Sequence, residues 1–102
     1  MPTLEQLLPL LEADPGDAFA RYAVAMEYAK QARFAEALGH FAELAKRHPD
    51  YVPGYFMAGR TAKQSGNAAE ARRWYTEGVA AAKRTGDRHA ADEISEALLM
   101  ME

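Results

Sequence analysis

Apolar residues recur along nearly the whole chain at intervals of three and four, the spacing of one face of an α-helix. No stretch alternates apolar and polar residues as a half-buried strand would. Alanine and leucine dominate, and β-branched residues are scarce. Breakers divide this pattern into about six helices. Asp14-Pro15-Gly16-Asp17 ends a first short helix whose Leu4, Leu7, Leu8 and Leu11 form one stripe. A second helix is predicted from about Ala18 to Lys30, capped by Asp17, with Phe19, Tyr22, Val24, Met26 and Tyr28 on its apolar face. A third, from about Phe34 to Arg47, repeats Phe34, Ala37, Leu38, Phe41, Leu44 and Ala45 at helical spacing. His48-Pro49-Asp50 breaks the chain again. A fourth helix starts near Pro53, tolerated there because a first turn does not use its missing N–H, and lasts until Gln64. Ser65-Gly66-Asn67 supplies the next turn, and a fifth helix runs from about Ala68 to Arg84. After Thr85-Gly86-Asp87, a last helix from about Arg88 to Met101 carries Ala91, Ile94, Ala97, Leu98 and Met101 on one face.

The pattern also recurs on a longer scale. Pro15 and Pro49 are 34 residues apart, and the same offset relates Ala25 to Gly59, Glu36 to Glu70 and Ala37 to Ala71. Phe41 meets Tyr75 and Glu43 meets Glu77 at that spacing too. A helix–turn–helix unit therefore occurs twice, over 18–51 and 52–85, about two-thirds of the chain. The flanking segments 3–13 and 87–101 read as capping helices that close the ends of one domain spanning 1–102. Each helix pair has an apolar face that needs a neighbour stacked on it.

These positions resemble the tetratricopeptide repeat family. The family has a 34-residue period, with a small residue in the first helix (here Ala25 and Gly59) and an alanine in the second (Ala37 and Ala71). An aromatic follows, here Phe41 and Tyr75, and a helix-breaking proline closes the unit, here Pro15 and Pro49. The stretch Gly66-Asn67-Ala68-Ala69-Glu70-Ala71 resembles the family's turn, and residues 32–37 are a degenerate copy with Ala32 in place of the glycine. Departures are equally definite. Arg21 and Tyr55 stand where the family often has tryptophan, Tyr28 has Ala62 as its counterpart, and Lys83 replaces the second closing proline. The resemblance implies an all-α solenoid of antiparallel helix–turn–helix repeats.

Composition narrows the chemistry. Lys and Arg total 12 against 15 Asp and Glu, a formal charge of −3, which does not suit a strongly basic nucleic-acid binder. The absence of cysteine removes disulfides, thiolate metal sites and a cysteine nucleophile. The first ten residues lack a basic region and Glu5, Pro9 and Glu12 interrupt the apolar stretch, so neither a signal peptide nor a membrane span is expected. The expected setting is cytoplasmic.

Three patterns suggest chemistry and fail on inspection. Residues 54–61, from Gly54 to Gly59-Arg60-Thr61, come one residue short of a phosphate-binding loop. No strand precedes them, arginine replaces the lysine, and backbone N–H groups bonded within a helix cannot cradle an anion. His89, Asp92 and Glu93 share a helix face at metal-ligand spacing but lack a His-Glu-x-x-His pattern, so a solvated charged face is the better reading. His40 is placed on the exposed side of its helix and His48 at a helix end. Seven basic residues between Arg60 and Arg88, interleaved with Trp74 and Tyr75, suggest nucleic-acid stacking, but the acidic total and a core role for Tyr75 argue against it. No catalytic residue, metal or cofactor is expected, nor a nucleic-acid or membrane partner.

A groove remains. The resemblance implies that first helices of successive repeats line a concave face that takes a peptide or a partner protein. By placement, Phe19, Tyr22, Met26 and Lys30 from one unit, and Phe56, Arg60 and Lys63 from the next, face it. An apolar floor with cations at one side suits a segment carrying hydrophobic anchors and an acidic group or C-terminus. Family members that clamp a terminal carboxylate use lysine and asparagine where this chain has Tyr22 and Met26, so that subtype is not expected. The alternative is self-association into a homodimer through the end surfaces, including Leu98, Met100 and Met101.

Overall fold

Side chains and backbone conformation fix where each helix starts and stops. The computed structural model describes residues 2–101. Its helices are α1 (Leu4–Ala13), α2 (Ala18–Lys30), α3 (Phe34–Arg47), α4 (Val52–Gln64), α5 (Ala68–Arg84) and α6 (Arg88–Leu99). No strand occurs among the described residues. Thr3 and Gln6 form a reciprocal capping box at the start of α1, and Asp17, Asn67 and Asp87 accept N–H bonds at the starts of α2, α5 and α6. The three turns after α2, α4 and α5 share one geometry. Ala32, Gly66 and Gly86 adopt φ of 60°, 88° and 75°, and the next residue's N–H returns to the carbonyl of Tyr28, Ala62 or Ala82. This is the Schellman closure, which satisfies end carbonyls and favours glycine at the left-handed position.

Helices neighbouring in sequence pack in series: α1 on α2, α2 on α3, α3 on α4, α4 on α5 and α5 on α6. Helix α2 also touches α4 directly, which puts these two first helices on the inside of the curve. The core is correspondingly divided. Leu4, Leu7 and Leu11 of α1 meet Ala20 and Val24; Ala25, Ala37, Phe41, Leu44 and Ala58 join α2, α3 and α4; Tyr55, Ala71, Tyr75, Ile94 and their neighbours join α4, α5 and α6. Small residues set the approach distances. A Cβ at Gly59 would clash with the Tyr75 ring, and one at Gly78 would lie 2.8 Å from Tyr55 Cβ.

The 34-residue spacing holds from α2 to α4 and from α3 to α5, then slips to 36 between the starts of α4 and α6. Helix α5 has 17 residues against 14 in α3. Lys83, standing where a proline would close the unit, lets the helix run on to Arg84.

The residues that stand in place of tryptophan have a shared task. Tyr55 donates its hydroxyl to the Pro49 carbonyl at 2.7 Å, and Arg21 donates Nη2 to the Pro15 carbonyl at 3.1 Å. Each proline carbonyl receives a second donor from the end of the following second helix, Arg47 at 3.3 Å and Arg84 at 2.9 Å. These side chains tie the loop before each repeat to its hairpin.

Three sequence expectations need correction. His40 is half-buried rather than exposed, because its ring stacks on Tyr28 across the hairpin at 5.5 Å and 11°. Its Nδ1 accepts from Arg21 Nη1 at 3.3 Å, since a guanidinium only donates. Burial, and then the Arg21 charge, hold the imidazole pKa below its ordinary value and so favour the neutral ring. Leu8 leaves the buried stripe of α1 and is 36% exposed. Helix α6 ends at Leu99, with Met100 as its C-cap, and Leu98 and Met101 are only partly buried.

Candidate functional site: a two-compartment concave face

The inner faces of α2 and α4 leave a hollow of about 590 Å³, and those of α4 and α6 leave one of about 480 Å³. Phe19, Tyr22, Met26, Lys30 and Arg60 line the first, with Leu7 of α1 at its rim. Phe56, Arg60 and Lys63 line the second, with Tyr75 in its floor and Met100 at its edge. The seven residues expected on the concave face therefore fall into two compartments rather than one trough. Arg60 alone among them borders both.

Helical phase explains which side chains reach the surface. The α2 positions lining the first hollow, 19, 22, 23, 26, 27, 29 and 30, map by the 34-residue offset onto 53, 56, 57, 60, 61, 63 and 64 of α4. All of those also line a hollow of this face. The offset applied to Ala23 and Lys30 points to Met57 and Gln64, which the sequence reading passed over. It also shows that Lys63 matches Ala29, not Lys30. A third, smaller hollow of about 130 Å³ runs between Tyr22, Phe56 and Ile94, with Asp87 and Glu93 on its border.

Aromatic pairs stiffen the floor. Tyr22 meets the edge of Phe41 at 6.4 Å and stacks on Tyr51 at 5.5 Å; Phe56 meets Tyr75 at 6.1 Å. Tyr22–Phe41 and Phe56–Tyr75 are the same pair one repeat apart. Burial raises the phenol pKa of both Tyr22 and Tyr75, and the Arg60 charge opposes that rise in each. Phe19 is 70% exposed, whereas Tyr22, Met26 and Phe56 are half-buried and Lys30, Arg60 and Lys63 are exposed.

The face is polarised along the helices. Lys30 and Lys63 lie in the last turns of α2 and α4, where cations complement the helix dipole. Asp17 and Asp87 cap α2 and α6 at the opposite edge. His89, Asp92 and Glu93 are exposed on α6. Among the described residues no helix is long and apolar enough to cross a membrane.

An array of stacked antiparallel hairpins with its first helices on the inner side is a helical-repeat solenoid. The solution structure of a tetratricopeptide repeat domain protein from Salinibacter ruber is 34% identical, with a TM-score of 0.81, over 87% of this chain and 90% of that one. The crystal structure of a tetratricopeptide repeat domain protein from the same organism is 32% identical over 83% and 94%, with a TM-score of 0.75. A protein from Bordetella parapertussis, solved in solution, is 26% identical with a TM-score of 0.84 over 99% of this chain and 88% of its own. No protein-family model and no curated protein matches the chain. The chain belongs to the tetratricopeptide repeat family.

Proposed function

We propose that the protein is a non-catalytic interaction module that holds a peptide segment or a partner protein against the inner faces of α2, α4 and α6. One observation carries this reading: Phe19 is left 70% exposed on the rim of an open, largely apolar hollow. Exposed aromatic side chains beside a cavity are the residue types that dominate binding energy once desolvated. Partner side chains bury against Phe19, Tyr22, Met26 and Phe56, and Lys30, Arg60 and Lys63 set the orientation of the bound segment. Replacing Tyr22 and Phe56 together by alanine removes one aromatic from each repeat. Capture of cellular partners in a pull-down is expected to fall at least about tenfold, with helical content by circular dichroism near wild type. Unchanged capture would place the binding surface elsewhere.

A second reading has its own observation. Leu99 and Met100, at the end of α6, are 66% and 74% exposed, which favours a homodimer through the end surface. Light scattering across a concentration series separates the two, since a monomer throughout excludes the dimer.

A further inference from the structure

Arg60 occupies the ridge between the two compartments and borders both. Arg72 and Arg73 of α5 are exposed and border none of the three hollows, and four other arginines of the hairpins are engaged. Arg21 holds a loop carbonyl, Arg33 pairs with Glu36, Arg47 with Glu43, and Arg84 with Asp50. Arg60 has no carboxylate or carbonyl partner among the described residues; its contact is from Nη1 to Met57 Sδ at 4.0 Å. Tyr22 stands in the first compartment and Tyr75 in the second, both close enough to feel the Arg60 charge. Neither phenol has a hydrogen-bond partner within the described residues. A guanidinium thus stands between two largely apolar hollows, each with a phenol in its lining, with Lys30 and Lys63 on the same side and Glu27 as the one acid bordering either large hollow.

Resting on the groove reading above, we infer that the occupant is a peptide segment with an internal Asp or Glu between two large apolar side chains. The carboxylate sits on Arg60 and one anchor fills each compartment. Charge complementarity selects the acid, because a planar carboxylate accepts two N–H bonds from one guanidinium. The two compartments select an internal acid over a chain end, since a segment stopping at Arg60 leaves one hollow empty. Spacing follows from geometry. The hollows flank α4, so the anchors are separated by about one helix spacing, roughly 10 Å. Alternate residues of an extended chain share a face, and positions i and i+4 are about 13 Å apart. The order anchor, acid, anchor at alternate positions therefore spans the ridge.

Fluorescence anisotropy with three labelled peptides tests this. The first carries Phe-Ser-Glu-Ser-Leu in a Gly/Ser background, the second has Gln for Glu, and the third ends at the Glu. The internal Glu peptide is expected to bind wild type about tenfold tighter than the Gln peptide, a charge-assisted contact made or lost. In Arg60→Gln, a surface substitution that leaves the helices folded, the two peptides are expected to bind alike. Equal binding of Glu and Gln peptides to wild type overturns the acid preference. If that binding still falls in the Tyr22→Ala/Phe56→Ala protein, the groove itself stands. Tighter binding of the peptide ending at Glu overturns the internal position. No binding by any peptide, or binding indifferent to the double substitution, removes both this inference and the groove.

Discussion

In the hairpin of α4 and α5, Gly59 packs directly against the Tyr75 ring, and that ring continues to the floor of the second compartment. In the hairpin of α2 and α3, the matching residues are Ala25 and Phe41, both buried, and Phe41 borders none of the three hollows of the concave face. The ring that reaches the groove requires the missing Cβ; the ring that stops short tolerates one. The same contrast runs through the turns. Gly66 and Asn67 supply a left-handed residue and a side-chain cap, whereas Ala32 adopts φ of 60° and Arg33 provides no cap bond. One backbone plan therefore tolerates different fillings, and the second hairpin is the better formed locally.

Substitutions that exchange these fillings separate the two hairpins. Gly59→Ala drives a methyl into the buried Tyr75 ring and is expected to cost about 2 kcal/mol, even though alanine favours a helix. The reciprocal change, Ala25→Gly, meets no such clash and should cost about 1 kcal/mol through helix propensity. Chemical denaturation measures both. An equal loss at the two sites would mean that Tyr75 adapts freely and that the close approach at Gly59 is not what sets the packing.

At the turns the two exchanges are expected to have opposite signs. Ala32→Gly relieves a left-handed alanine and should stabilise the protein by about 1 kcal/mol. Gly66→Ala should cost a similar amount, about 1 kcal/mol, because its φ is 88°. The same denaturation assay reads both. A loss on Ala32→Gly would show that the Ala32 methyl contributes a favourable contact.

Much of the architecture was legible because local chemistry determines it. Proline, glycine and capping residues marked the helix ends within a residue or two, and the offset from Ala25 to Gly59 revealed the repeat. What escaped depends on contacts between distant residues. Arg21 looked like a departure from the family pattern, yet it holds the Pro15 carbonyl as Tyr55 holds that of Pro49. His40 reads as a surface residue on its own helix, and it is Tyr28 and Arg21 from the neighbouring helix that cover it. The division of the concave face was equally hidden. It depends on the reach of Arg60 and on where α6 lies after α5 runs three residues longer than α3. Met57 and Gln64 were within reach of the sequence, since the 34-residue offset from Ala23 and Lys30 points to them.

The central claim is that the inner faces of α2 and α4 receive a partner's chain. Amide chemical-shift mapping of the isotope-labelled protein, titrated with the internal-acid peptide, tests it most directly. The expected result is a set of shifts centred on Tyr22, Met26, Phe56, Met57 and Arg60, with α3 and the outer face of α5 unmoved. Shifts concentrated on α3 and the outer face of α5, or none at saturating peptide, would contradict it.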